Sequence, residues 1–411
     1  MSPLARYPIL AYGGLGLPLA FAALPLYVHL APFYSSQLSL ALLGVILLGL
    51  RFFDAVIDPL LGALFDRFPH PRRLILVSLP MLGLGWVGLF NPPSQGVVPW
   101  LIATLALTTV GYSLASVVHN TWGSRIHPAT HERTRLFAAR EGFGLVGVVL
   151  AAALPLLLSP DLASGLQAMS WIFLMLLAVF AGWTLLDAPA MHAGLVAMPL
   201  RNFLRPFANP SFARFIPGFL LNGVAAALPA TLVIFFIDDV LQLKAWGGLF
   251  LALYFVSGAL GLPLWVALAR RIGKLEAWLA SMLLAVATFA GAFWLGSGDL
   301  VGFALVCVAS GLALGADLAL PPALVADYID ADEQPLPGAY YGLLGFFAKF
   351  TLALAAGLAL PLLGTLGYQP GGSETAALSA TYALLPCLLK IAAFGWFWVW
   401  RPRINSGVCP C

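Results

Sequence analysis

"GALFDRFPHPRRL", Gly62 to Leu74, has a counterpart in "GLPLWVALARRIGKLEAW", Gly261 to Trp278. In each, a glycine leads to the end of a long apolar run, and a basic cluster then fills a very short turn. Arg67 and Arg271 stand 204 residues apart, about half of the 411-residue chain. The longest connection, Asp187 to Phe212 around "RNFLRPFANP", falls between the two copies. Repeated turns flanking one long link imply two halves of the same design.

The composition says what those halves are made of. Hydrophobic residues make up 61% of the chain and charged residues 9%, against roughly 25% charged in soluble domains. Mean hydropathy is +0.95. Spans of about 20 residues, solvated by lipid on their outer faces, absorb that much apolar surface where one soluble core does not. Pro, Gly and charges punctuate twelve apolar runs, at 8–31, 39–64, 74–90, 97–122, 134–158, 167–187, 213–236, 245–269, 275–296, 300–326, 339–366 and 375–400. The expected fold is an all-α polytopic membrane protein with twelve transmembrane helices in two six-helix halves. Residues 1–187 form the first bundle, 188–212 the linker, 213–400 the second bundle and 401–411 a tail. The first run is too long for a signal peptide and is read as a retained span.

Of the 20 Lys and Arg, 15 fall on the side that holds the N-terminus, and only Lys244 on the other. By the positive-inside rule both termini are cytoplasmic. This bias accounts for the net charge of +3, so nothing calls for a nucleic-acid partner. Arg51, Arg140, Lys349 and Lys390 lie within spans.

An ionised side chain at mid-bilayer costs about 2.5 to 3.5 kcal/mol on insertion scales, so such groups face the bundle interior. In "RFFDAVIDPLLG" (Arg51–Gly62), Arg51, Asp54 and Asp58 are spaced i, i+3 and i+7, one face of a helix. Two carboxylates a turn apart can share a hard cation, Na⁺ being the metal case, or hold a proton. Arg51 moderates their repulsion; the plainer alternative is an Arg51–Asp54 ion pair. Arg140, beside Glu141, and Lys349 come from different halves and suit an anionic or hydroxyl-rich solute. Lys390 either snorkels or pairs with Asp317.

In "GYSLASVVHNTW" (Gly111–Trp122), Tyr112 and His119 are seven apart and expected on one face, with Asn120 beside them, while Trp122 reads as an interface anchor. Gly338, Gly342 and Gly345 permit a close helix contact. Asp66 and Arg67, with Arg72, Arg73, Arg270 and Arg271, are expected to gate the cytoplasmic turns by pairing with charges on a neighbouring span. Cys307 and Cys387 read as buried hydrophobes and Cys409 and Cys411 as part of a tail. No zinc-protease motif, Ser/His dyad or extramembrane domain points to an enzyme or a scaffold.

With these residues in hand, the chain resembles the glycoside-pentoside-hexuronide:cation symporters, the melibiose-permease type within the major facilitator superfamily. The resemblance spans nearly the whole length. It rests on "RFFDAVIDPLLG", "ERTRLFAAREGFG" (Glu132–Gly144), "LARRIGK" (Leu268–Lys274), "ADYIDADE" (Ala326–Glu333) and Lys349, in the family's order. It implies the major facilitator fold, with Asp54 and Asp58 as the coupling-cation site, Arg140 near bound substrate and Lys349 linking the two sites. Melibiose permeases carry Asn where this chain has Ile57, and Thr where Tyr112 aligns. They also carry sugar-gripping aspartates that "AYGGLGLPLAF" (Ala11–Phe21) and Ala115 lack. Fewer oxygens weaken Na⁺ coordination and bring in H⁺. The expected activity is cation-coupled import of a small polar solute, a sugar or sugar derivative, by a monomer in a bacterial-type inner membrane, with no cofactor beyond the ion. An amphipathic anion such as a lysophospholipid is the alternative.

Overall fold

The computed structural model describes residues 4–35, 37–191, 203–368 and 375–404. The helices are α1 (Arg6–Gly14), α2 (Gly16–Val28), α3 (Leu30–Tyr34), α4 (Leu40–Arg67), α5 (Pro71–Phe90), α6 (Val97–Ser124), α7 (Thr130–Leu158), α8 (Leu162–Asp187), α9 (Pro210–Phe235), α10 (Gly247–Ile272), α11 (Lys274–Ala292), α12 (Leu300–Asp330), α13 (Pro337–Thr365), α14 (Ala376–Ser379) and α15 (Leu385–Ile404). Among the described residues, eleven stretches are long and apolar enough to cross a bilayer. The twelfth span is α4, whose 28 residues reach about 42 Å at 1.5 Å per residue.

Local chemistry sets the helix ends. Asn209 caps α9, its Oδ1 accepting from the N–H of Ser211 (3.0 Å) and Phe212 (3.4 Å), with Pro210 at the first helical position. Asp161 caps α8 and Ser39 caps α4 in the same way. A π turn, Phe236–Val240, ends α9, and another, Ala380–Leu384, joins α14 to α15.

The chain divides into two compact units. One is Met1–Arg205 with Gln334–Phe346; the other is Pro206–Glu333 with Phe347–Cys411. Six spans belong mainly to each, and the first turns of α13 go with the first unit. Within the first unit, α5 and α6 meet through glycine: a Cβ on Gly111 would lie 2.5 Å from the Leu82 nitrogen. The core of this unit packs Trp86 against Phe173, ring centroids 4.5 Å apart and planes tilted by 39°. In the second unit α12 approaches α10 likewise, a Cβ on Gly311 clashing with the Tyr254 carbonyl oxygen. Small residues let helix backbones come close where lipid offers no hydrophobic drive for association. Residues such as Leu48, Phe52, Trp294 and Val399 stay exposed, as lipid-facing side chains must.

The first span is not the single run expected over 8–31. It breaks at Leu15, where the Thr184 hydroxyl enters the helical ladder. Thr184 Oγ1 donates to the Ala11 carbonyl (2.7 Å) and accepts from the Leu15 N–H (3.1 Å). Those are the two groups that an unbroken helix would join to each other.

Candidate functional site

In the first unit, α4 places its two carboxylates in unlike surroundings. Asp54 is half-buried, and Ser113 Oγ donates to its Oδ1 at 2.9 Å. With Thr109 and Tyr112 it lines a cavity of about 50 Å³, otherwise walled by Ala23, Leu26, Leu30, Leu47, Leu50 and Leu105. Such a space has room for a water or two, or an ion of that size. Asp58, one turn on, is 2% exposed. It lies under the glycine face of α13: a Cβ on Gly345 would sit 2.5 Å from Asp58 Oδ2, and one on Gly342 2.6 Å from the Asp58 carbonyl oxygen. The close-contact reading of these glycines therefore holds. The Arg51 side chain lies outside the described residues, as do Cys409 and Cys411.

Ser113 is the residue the sequence reading missed. Tyr112 was aligned to the oxygen-bearing position of span four, but the hydroxyl bonded to Asp54 belongs to its neighbour. Seven-residue spacing also misled for His119, which does not share Tyr112's open face. Fully buried, His119 packs its ring on Tyr12 (centroids 4.4 Å apart). Its Nε2–H donates to the Tyr12 carbonyl at 2.8 Å, while the Tyr12 hydroxyl donates to the His119 carbonyl at 2.9 Å. The half-buried stripe of α6 is instead Tyr112, Ser116 and Asn120, spaced by four, since each step of four turns the helix only slightly past one full turn.

On α7 Arg140 is ion-paired with Glu141, and its Nη2 reaches Ser116 Oγ at 3.3 Å. Three buried polar atoms here, Arg140 Nε, Asn120 Oδ1 and His119 Nδ1, meet no hydrogen-bond partner among the described residues. Buried polar groups are normally satisfied, so this corner of α6 and α7 has unused capacity to bond a polar molecule.

Asp66 and Arg67 correct the expected charge pairing. Asp66 is buried, and its carboxylate accepts from the N–H of Gly338 and of Ala339, each at 2.8 Å, capping the start of α13. Arg67 stacks on Phe68 with its Cζ 5.9 Å from the ring centroid. The partner of Asp66 is thus a pair of backbone amides, to which no side-chain pattern points. Trp122 is not an interface anchor either: it is fully buried, donating Nε1–H to the Pro189 carbonyl at 3.0 Å.

In the second unit, Lys390 pairs with Asp317 (3.0 Å) and donates to Asn222 Oδ1 (2.7 Å). Asp317 Oδ1 also accepts from Trp278 Nε1 (2.6 Å) and Asn222 Nδ2 (2.9 Å), so four spans share one closed network. Lys274 is buried at the start of α11, bonded to both Asp327 oxygens (2.9 and 2.8 Å) and the Ala323 carbonyl (2.8 Å). Arg270 and Arg271 are exposed at the end of α10, and Lys349 is half-buried in the second-unit part of α13. Cys307 and Cys387 are buried and free.

The family model for the MFS/sugar transport protein matches residues 9–405. The chain belongs to that family. Family and fold are those of transporters acting on small-molecule substrates across a membrane crossed many times. An Escherichia coli (strain K12) protein whose name assigns it sulfoquinovose import is 27% identical, over 89% of this chain and 84% of its own. The sodium-dependent lysophosphatidylcholine symporter 1 of Gallus gallus is 23% identical, over 87% and 76%. A crystal structure of the E. coli fucose:proton symporter superposes with a TM-score of 0.73 at 16% identity, covering 97% of this chain and 99% of that one. That likeness carries the major facilitator fold.

Proposed function

We propose that this member of the family is a symporter that carries a small polar solute, a sugar or sugar derivative, inward across a bacterial inner membrane with H⁺ or Na⁺. Both termini are then cytoplasmic, and the transport cycle is alternating access. The observation that carries the reading is the pair on α4: Asp54 bonded to Ser113 and open to a small cavity, Asp58 buried one turn away. Two carboxylates with hydroxyl oxygens beside them suit a hard cation. Burial of the second makes an uncompensated charge there costly. Neutralising the pair lowers the cost of closing the site. Arg140, Glu141, Ser116 and Asn120 offer the donors and acceptors that a hydroxyl-rich or anionic solute needs, and Lys349 links solute to cation. Asp66, with the turn arginines Arg67, Arg72, Arg73, Arg270 and Arg271, guards the cytoplasmic side. The sulfoquinovose and lysophosphatidylcholine in the relatives' names define the two solute classes to try first.

One observation favours the second reading, an amphipathic anion such as a lysophospholipid. The cavity over Asp54 holds no more than a water or an ion, but its wall is apolar except for Asp54, Thr109 and Tyr112, so a solute approaching the ion site meets aliphatic side chains rather than partners for a ring of hydroxyls. Proteoliposomes discriminate. Uptake of sulfoquinovose or lysophosphatidylcholine driven by a Na⁺ or pH gradient is expected in the parent protein and lost in Asp54→Asn and Asp58→Asn, with both variants still folded. Gradient-dependent uptake that survives both substitutions removes the assignment.

A further inference from the structure

The turn between α4 and α5 holds a second cavity, of about 300 Å³, lined by His70, Arg72, Arg73, Trp122, Ala190 and Met191 along with two prolines. Among the described residues no carboxylate lines it. His70, Arg72 and Arg73 are exposed. Arg72 donates Nη2–H to the Ala188 carbonyl at 2.8 Å and holds its Cζ 5.8 Å from the centroid of the Trp122 ring. The indole stiffens the guanidinium from behind by a cation–π contact, and its own N–H is taken by Pro189.

Both arginines stand in the first turn of α5, which begins at Pro71. The helix dipole already places partial positive charge at that end and disfavours cations there. A topogenic role explains why basic residues occur on this side of the membrane, but it requires neither a cavity nor a buried indole holding one of them in place. The concentration of positive charge around an open space calls for an anion.

The same helix face continues in a different chemistry. Leu76 and Val77 follow Arg72 and Arg73 at i+4, and Leu84 follows Val77 at i+7, so all lie along one stripe. They are 61%, 57% and 68% exposed. Along this stripe the surface passes from guanidinium groups at the bilayer boundary to bare aliphatic side chains within it.

We propose that this cavity binds the phosphate of an anionic phospholipid, with Arg72 and Arg73 as its phosphate ligands and the acyl chains lying along Leu76, Val77 and Leu84. Two guanidinium groups supply charge-assisted hydrogen bonds to phosphate oxygens. Basic pockets of this kind at the membrane surface are how anionic headgroups are recognised.

The test uses the full-length protein in detergent, titrated with dioleoylphosphatidylglycerol or dioleoylphosphatidylcholine and read by native mass spectrometry. The parent protein is expected to retain phosphatidylglycerol in preference to phosphatidylcholine. Arg72→Gln/Arg73→Gln should weaken phosphatidylglycerol binding by about thirtyfold, the loss of two basic groups near an anionic surface, and leave phosphatidylcholine binding unchanged. Arg73→Gln alone, a change that removes no hydrogen bond to any described residue, should weaken it by about fivefold and serves if the double variant does not fold. Arg67→Gln, on the same turn but outside the cavity, should bind as the parent does. Equal binding by parent and double variant, or an equal loss in Arg67→Gln, overturns the proposal. Displacement of the lipid by inorganic phosphate at matching concentration also overturns it, since the site would then be one for a free anion.

Discussion

Removing Lys390 tests whether the second unit depends on its closed polar network. Lys390→Met deletes the cation while Asp317 stays in place, its side chain 14% exposed. Breaking one side of a buried pair costs about 3–5 kcal/mol, because the remaining charge is uncompensated. Here Asp317 keeps two donors, Trp278 Nε1 and Asn222 Nδ2, which puts the loss at the lower end, about 3 kcal/mol. For a unit of this size each kcal/mol moves the melting temperature by about 2–4 °C, so a fall of about 6–12 °C is expected. Adding Asp317→Asn removes the stranded charge and keeps an oxygen for both donors. The double variant should recover to within about 1 kcal/mol of the parent, since neutral replacement of a buried pair is often nearly free. Intrinsic tryptophan fluorescence of the detergent-solubilised protein follows the transition. If Lys390→Met melts as the parent does, or if the double variant melts as low as the single one, the network is not what joins these spans.

Asp66→Ala should destabilise the protein by about 1–2 kcal/mol through loss of the α13 cap, and Asp66→Asn by less, measured in the same melting experiment; an unchanged transition in Asp66→Ala contradicts the capping role. Gly345→Ala drives a methyl group to 2.5 Å from Asp58 Oδ2 and should abolish ion-linked uptake with the protein still in the membrane. Gly357→Ala on the same helix meets nothing within 4 Å and should be silent in uptake assays.

Hydropathy alone was enough for the spans, because a bilayer demands long apolar runs whatever their neighbours. The shared face of Asp54 and Asp58 was equally legible, since helical spacing fixes it. What spacing does not carry is the identity of partners brought from elsewhere in the chain. Ser113 is an ordinary small residue in an apolar span until Asp54 is placed against it. His119 and Tyr112 fit one face by count, but burial against Tyr12 decided which way the imidazole points. Lys390 had two equally sound options in sequence, and Asn222, invisible as a site residue, completes the one adopted. Asp66 bonds backbone N–H groups 272 and 273 positions away, and every residue but proline has such a group, so no pattern marks them.

The hydroxyl of Thr184 gives the first span a joint that opens without leaving any backbone group dry. In the observed arrangement Ala11 and Leu15 are both satisfied by one side chain from α8. Were Thr184 to withdraw and bond its own helix at Phe180, four residues back, the Leu15 N–H would return to the Ala11 carbonyl and the helix would straighten. The two arrangements satisfy the same backbone groups, so they differ by little free energy despite lying in hydrocarbon. Gly13 and Gly16 on either side of the break bring the first span directly against the α7 backbone at Ala139 and Arg140. A change in the direction of α2, which runs beside the Asp54 cavity, thus costs the backbone at the break no hydrogen bond, the exchange there being of a single hydroxyl.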